Sequence, residues 1–203
     1  SPGLRPPPTA KKEIQNRQAR GGRLIVMDPR RTETAEVADA HHFIVPGTDA
    51  FFLFALVNVF FAEDLVNLGR LADFTDGVDR VRELAQPFSP ETVAETTGIP
   101  AAAIRTIARD FAGADRAVCY GRIGTCTQEF GTLASWLVDV VNVLTGNLDR
   151  EGGSMFTRPA TGQSEPYLWD GAELNYGRWK SSVRGIPEYE AQLPVAVMAE
   201  ELE

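Results

Sequence analysis

The run Gly22-Arg23-Leu24-Ile25-Val26-Met27-Asp28-Pro29-Arg30-Arg31-Thr32 decides the fold class. Leu24 to Met27 is a continuous apolar stretch without polar alternation, which suits a strand buried on both faces of a parallel sheet. Asp28-Pro29 halts it, because proline brings no amide to a ladder. Upstream, the polar, basic segment Thr9 to Arg20 ends at Gly21-Gly22, the pattern of a helix closed by glycine at its carboxyl end. Downstream, Glu33 to Ala40 reads as a short helix and His42 to Val45 as a second strand, stopped by Pro46-Gly47. Thr48 or Asp49 is positioned to cap the apolar helix Phe51 to Phe61. This alternation predicts an α/β domain with a Rossmann-like parallel sheet flanked by helices.

Val78 to Ala112 reads as helical, broken at Pro87-Phe88-Ser89-Pro90 and at Gly98-Ile99-Pro100, with Ser89 capping and Pro90 in the first helical position. Ala117 to Tyr120 reads as a further buried strand that runs into the glycine-bearing loop Gly121 to Gln128. Leu133 to Leu144 forms an apolar helix closed by Thr145-Gly146-Asn147. From Arg150 onward the glycines, prolines and scattered aromatics (Tyr167, Trp169, Tyr176, Trp179) follow neither period, which predicts an irregular C-terminal extension toward a domain outside this chain. Residues 154–190 are expected to be its least ordered part, with a helix resuming within 191–203. The expected division is a basic segment and helix over 1–22, an α/β cofactor-binding domain over 23–149, and the extension over 150–203.

With 203 residues, 43% hydrophobic and 24% charged, the chain has a globular composition, and disorder throughout is excluded. The densest apolar run, Ala50 to Ala62, is interrupted by Asn58 and falls short of the roughly 18 residues a membrane helix needs, so no membrane partner is expected. A net charge of -8, from 20 basic and 28 acidic residues, argues against nucleic acid as a partner, whose binding rests on phosphate neutralisation. Yet up to Arg31 the basic residues Arg5, Lys11, Lys12, Arg17, Arg20, Arg23, Arg30 and Arg31 face only Glu13 and Asp28. A positive end in an acidic chain points to a small anionic ligand. Cys119 and Cys126 lie seven apart, which fits neither a CxxC pair nor a zinc knuckle, and a reduced, cytoplasmic setting is the expectation. A start at Ser1 followed by Pro2, Pro6, Pro7 and Pro8 reads as a piece of a longer polypeptide.

Asp28 stands at the carboxyl end of the first strand, where α/β folds place an acceptor for a ribose or a base. Arg30 and Arg31 add forked donors suited to phosphate, and Thr32 adds a hydroxyl. Pro46 to Asp49 and Gly121 to Gln128 also follow expected strands, so three loops are expected to converge at one sheet edge. No GxGxxG follows the first strand, which disfavours a nicotinamide dehydrogenase. Cys126 is expected to be a small buried side chain rather than a metal ligand. His41 and His42, adjacent in a strand, point to opposite faces and cannot share one metal. Phe51, Phe52, Phe54, Phe60 and Phe61 supply core or an interface. Ser89 to Phe111 has the pattern of a DNA-binding helix-turn-helix, but its second helix offers only Arg105 and Arg109 amid acidic surroundings, where groove binding wants a basic face.

Gly22 to Ala35, Ala38-Asp39-Ala40-His41, Pro46-Gly47-Thr48-Asp49, Thr97-Gly98-Ile99-Pro100, Tyr120-Gly121-Arg122-Ile123-Gly124 and Thr145-Gly146-Asn147-Leu148 together resemble, in order, the molybdopterin oxidoreductases of the formate dehydrogenase, nitrate reductase and dimethyl sulfoxide reductase type. The resemblance covers roughly residues 20–155. It implies a cofactor, molybdopterin guanine dinucleotide, carried as a molybdenum bis complex in the full-length protein, with Asp28 on the guanosine, Arg30 and Arg31 beside it, and Gly47, Thr48 and Asp49 closing over the base. Gly121, Gly124 and Gln128 approach the pyrophosphate or pterin on the same analogy, with Gly146 and Asn147 nearby. The Gly121 to Gln128 loop is slightly longer than in better-known members, a departure that bears on Arg122 and Gln128. The family's iron–sulfur cysteines and molybdenum ligand precede the Asp-Pro-Arg strand, so no catalytic or metal residue is assigned here. The isolated chain is expected to hold no cofactor and turn over nothing, its partners being the dinucleotide and the remaining domains of the same polypeptide. The alternative is a noncatalytic α/β nucleotide-binding module.

Overall fold

A computed structural model describes residues 8–155, 177, 179–188 and 193–202. The chain divides into two units, Ser1–Met155 and Phe156–Glu203. In the first, helix α1 (Pro8–Gln18) ends through Gly21, whose φ of 86° is the left-handed conformation glycine adopts without a Cβ clash. Strand β1 (Ile25–Met27), helix α2 (Glu33–Val37) and strand β2 (Ala40–His42) follow, and the strands pair in parallel with Ile25 opposite Ala40 and Met27 opposite His42. The fold is mixed α/β. Thr32 caps α2, its hydroxyl accepting from the Ala35 amide at 3.3 Å.

The core is helical. Helix α3 (Asp49–Ala62) is apolar all round, and such a helix belongs inside. Ala55, Val57, Val59 and Phe60 have no exposed surface. Helices α4 (Val78–Ala85), α5 (Pro90–Thr97), α6 (Ala101–Gly113) and α8 (Gly131–Leu144) pack around it. The polar interruption Asn58 is satisfied: its Nδ2 donates to the Ala85 carbonyl that ends α4 at 3.1 Å. The phenylalanine cluster is core, with Phe54 stacked on Phe88 at 4.6 Å between centroids. The breaks fall where local chemistry puts them: Ser89 accepts from the Thr92 amide at 3.2 Å, and Gly98 closes α5 at a φ of 74°.

Four expectations need correction. The second strand is Ala40–His42 and not His42 to Val45, because Phe43 and Val45 are exposed and Val45 already bonds the Thr97 carbonyl at the end of α5. Ala117 to Tyr120 joins no sheet among the described residues; Val118 and Tyr120 are exposed, and asparagine side chains take the place of a neighbouring strand. Asn142 accepts from the Cys119 amide and donates to its carbonyl, both at 2.9 Å, while Asn147 Oδ1 accepts from the Ala117 amide at 3.2 Å. Thr48 sits at the N-cap of α3 without capping it, since its hydroxyl turns back to donate to the Val45 carbonyl at 2.7 Å. The loop from Gly121 contains one helical turn, α7 (Ile123–Cys126).

In the second unit Lys180 and Pro187 form an antiparallel bridge across a turn closed by Gly185. A short helix, α9 (Met198–Glu201), resumes within 191–203, and the Glu201 carboxylate accepts from the Ser182 and Val183 amides at 3.0 and 2.9 Å. Much of the stretch expected to be least ordered, 156–176 with its aromatics, lies outside the described residues. Among the described residues no helix is long and apolar enough to cross a membrane.

Candidate functional site

Both strands of a parallel pair end on the same side, so the loop after Met27 and the chain after His42 leave one edge. Asp28 is fixed there by three contacts. Its amide donates to the His42 carbonyl at 3.2 Å, its Oδ1 accepts from the Arg30 amide at 2.8 Å, and its carbonyl accepts from His41 Nε2 at 2.9 Å. The second carboxylate oxygen takes no hydrogen bond from the described residues. Arg30 and Arg31 are exposed, and neither has an acidic partner among the described residues. Thr32 is committed to capping α2, whose first turn carries Glu33 and Glu36, so the positive groups at this edge are the two guanidiniums and not that helix end.

Gly47, with a φ of 86°, makes the turn into α3. Asp49 Oδ2 accepts from Gln128 Nε2 at 2.6 Å, and the same nitrogen reaches the Thr125 carbonyl at 3.2 Å. A Cβ on Gly47 would lie 3.5 Å from Gln128 Oε1. One glutamine thus ties the loop before α3 to the loop around α7. Gly124 has open space where a Cβ would stand, whereas a Cβ on Gly121 would meet Thr125 Oγ1 at 2.8 Å.

The expected site residues therefore fall into three groups. Asp28, Arg30 and Arg31 share the end of β1, and Gly47, Thr48 and Asp49 join Gly121, Gly124 and Gln128 through the Asp49–Gln128 bond. Gly146 and Asn147 have structural tasks. Gly146, at a φ of 66°, lies where a Cβ would stand 2.8 Å from the Asn67 carbonyl, and Asn147 is buried and clamps Ala117. The third loop does not follow a sheet strand, and side-chain contact brings it in. His41, read only as one of two strand histidines, is the contact sequence reasoning missed; the alternation that sends His41 and His42 to opposite faces was its signal. His42 on the other face lines a cleft of about 300 Å³ with Arg23, Ile25, Ala103, Ile107 and Asp110, and burial holds its pKa below the usual histidine value.

The cysteines differ. Cys119 is half-buried, and desolvation of its thiol together with the Asp139 charge pushes that thiol up to about 12. Cys126 is exposed, contrary to expectation, because the α7 turn faces outward. Its hydrogen bonds to Ser135 and Thr125 hold its pKa below the usual thiol value. In the helix-turn-helix candidate, α5 and α6, Arg105 is held by Glu91 at 2.8 Å and Arg109 by Glu63 at 2.6 Å, and Ile104, Ile107 and Ala108 are buried.

No family model matches the chain. It is 30% identical over 157 residues to formate dehydrogenase H of Escherichia coli, across 77% of this chain and 22% of that protein. It is 29% identical over 143 residues to the molybdopterin-containing subunit of thiosulfate reductase of Salmonella typhimurium, across 70% and 19%. The solved structure of acetylene hydratase from Pelobacter acetylenicus matches with a TM-score of 0.64 and 29% identity, across 70% of this chain and 19% of that one. The chain belongs to the molybdopterin oxidoreductase family. It spans about a fifth of the length of these relatives.

Proposed function

We propose that this chain is the part of a molybdenum oxidoreductase that anchors the guanosine and pyrophosphate of molybdopterin guanine dinucleotide. The observation that carries the reading is the composition of the edge after β1: a positioned carboxylate with one oxygen free beside two exposed guanidiniums without acidic partners among the described residues. That donor and acceptor set fits a guanine nucleotide. Asp28 accepts from the base or from a ribose hydroxyl, and Arg30 and Arg31 neutralise phosphate. Gly47 lets the backbone approach the base, Gly124 leaves room for the pyrophosphate, and the Asp49–Gln128 bond holds these two loops at a fixed separation. When bound, the molybdenum-pterin group supplies the centre for two-electron chemistry.

The relatives are named for formate, thiosulfate and acetylene, so the shared stretch belongs to what they have in common rather than to one substrate. We infer that substrate selection, the molybdenum ligand and any iron–sulfur cluster belong to other segments of the enzyme, and that this chain alone turns over nothing. In the full-length enzyme Asp28→Ala should lower cofactor affinity tenfold to a hundredfold, about 1.5 to 3 kcal/mol for a charge-assisted hydrogen bond. Molybdenum and guanine nucleotide content after purification reads this out. Unchanged occupancy would remove Asp28 from the site.

A further inference from the structure

Phe43 is 58% exposed and stands outside the core cluster, so burial does not account for an aromatic ring there. Its contact with His41 does: the two ring centroids lie 4.4 Å apart, edge to face. His41 in turn applies its ring to a main-chain group, with Nε2 at 2.9 Å from the Asp28 carbonyl oxygen. A carbonyl oxygen can only accept, so Nε2 carries the hydrogen. Phe43, His41 and Asp28 thus make a continuous set of contacts across the ends of the two strands.

The end of β2 holds both polar groups of the Asp28 backbone. The amide donates to the His42 carbonyl, a ladder bond that any residue at position 42 could accept. The carbonyl is different, because its partner is a side chain and requires an N–H donor at position 41. That position pairs with Val26, on the sheet face opposite to the one by which Ile25 and Met27 pack on the core. The Asp28 carboxylate is then fixed through Oδ1 by the Arg30 amide, in the kind of turn that aspartate makes with its own following backbone. With the backbone and one oxygen held, the direction of Oδ2 is set.

Direction matters more for a base than for a phosphate. Guanine presents a ring N–H beside its amino group, whereas adenine has a bare ring nitrogen there, and an ionised carboxylate can only accept. A well-aimed oxygen therefore separates the two bases, since the mismatched one leaves two acceptors face to face. Arg30 and Arg31 are exposed, and their long side chains reach a phosphate without needing the Asp28 backbone in one orientation.

We propose that His41, propped by Phe43, is a positioning residue that acts through Asp28 and sets the preference of this edge for guanine over adenine. The inference rests on the reading of Asp28 as a nucleotide acceptor and commits that acceptor to the base.

The test is a titration of the chain and its variants with guanosine diphosphate, adenosine diphosphate and inorganic pyrophosphate, followed by backbone amide resonances. His41→Phe should lower the ratio of guanosine to adenosine affinity by about fivefold or more, the effect of one lost hydrogen bond, while pyrophosphate affinity stays within about twofold. His41→Gln keeps an N–H donor and should restore the ratio. Phe43→Ala should lower it in part. Without any ligand, the Arg30 amide should exchange faster in His41→Phe and at the original rate in His41→Gln. Urea denaturation identifies a variant that does not fold; if His41→Phe is one, Phe43→Ala, at an exposed ring, decides by the same ratio. A chain with no preference for guanosine would remove Asp28 from the base, and this inference with it. A guanosine preference that survives in His41→Phe would overturn the inference and leave the reading of Asp28 standing. Equal loss of all three ligands, or a His41→Gln that behaves as His41→Phe, would reduce His41 to a residue of the fold and overturn the inference as well.

Discussion

Arg105 and Arg109 of α6 and Arg30 and Arg31 after β1 are the same side chain in opposite surroundings. On α6 the carboxylates of Glu63 and Glu91 lie 2.6 to 3.4 Å from the guanidiniums and join α3, α5 and α6. After β1 no carboxylate of the described residues pairs with either arginine, although the chain carries 28 acidic residues. Paired arginines stabilise the fold and have little left for a phosphate; unpaired ones beside a free carboxylate oxygen are available to a ligand. The same contrast separates the asparagines from the site loops. Asn142 and Asn147 spend their side chains on the backbone of 117–119, while Gln128 joins the loop before α3 to the loop around α7.

The largest effect that breaks this comparison is on the structural side. Asn142→Leu removes both bonds to Cys119 and leaves its amide and carbonyl without a partner, which should lower unfolding stability by about 3 kcal/mol. Urea denaturation checks it, and a loss under about 0.5 kcal/mol would show that the clamp is dispensable. On the ligand side the expectation inverts. Arg30→Ala with Arg31→Ala should leave the denaturation midpoint nearly unchanged and weaken cofactor retention in the full-length enzyme by about tenfold or more at low salt, and by less as salt rises and screens the wild-type guanidiniums. A destabilised double variant with normal cofactor content would reverse the roles of the two arginine pairs.

The smallest effect is the acid response of the Glu63 cluster. Hydrogen bonding to Arg109, and then to Arg105, holds the Glu63 carboxyl below the usual carboxylate range. A depressed folded-state pKa means that its stabilising contribution is present above the unfolded value, about 4.3, and is lost as pH falls through the folded one. Glu63→Gln should therefore flatten stability against pH in the region from about 5 downward, and do little more at neutral pH, because surface ion pairs contribute modestly. An unaltered acid profile would show that Glu63 carries no linkage.

What was legible in the sequence was what neighbours in sequence decide. Ser89-Pro90 and Gly98-Ile99-Pro100 mark helix ends by capping and backbone chemistry within four residues, and the structure has them there. Asp28 at the end of β1 was readable in the same way. The errors came where distant groups intervene. Ala117 to Tyr120 has the composition of a strand, yet its bonding partners come from Asn142 and Asn147, 23 and 30 residues away. Phe43 to Val45 continues the apolar run after β2, but Val45 is taken by the end of α5. Thr48 was a reasonable cap by residue type, and its hydroxyl is captured by Val45 instead. The Asp49–Gln128 bond spans 79 positions and leaves no local trace.

The most direct test of the nucleotide edge is a titration of the chain with guanosine diphosphate, and separately with adenosine diphosphate, followed by backbone amide resonances. The account predicts guanosine-dependent shifts confined to residues 28–32, 46–49 and 121–128, a weaker response to the adenosine compound, and loss of that preference in Asp28→Asn. Equal responses to the two nucleotides, or shifts centred on α5 and α6 with these loops unmoved, would contradict it.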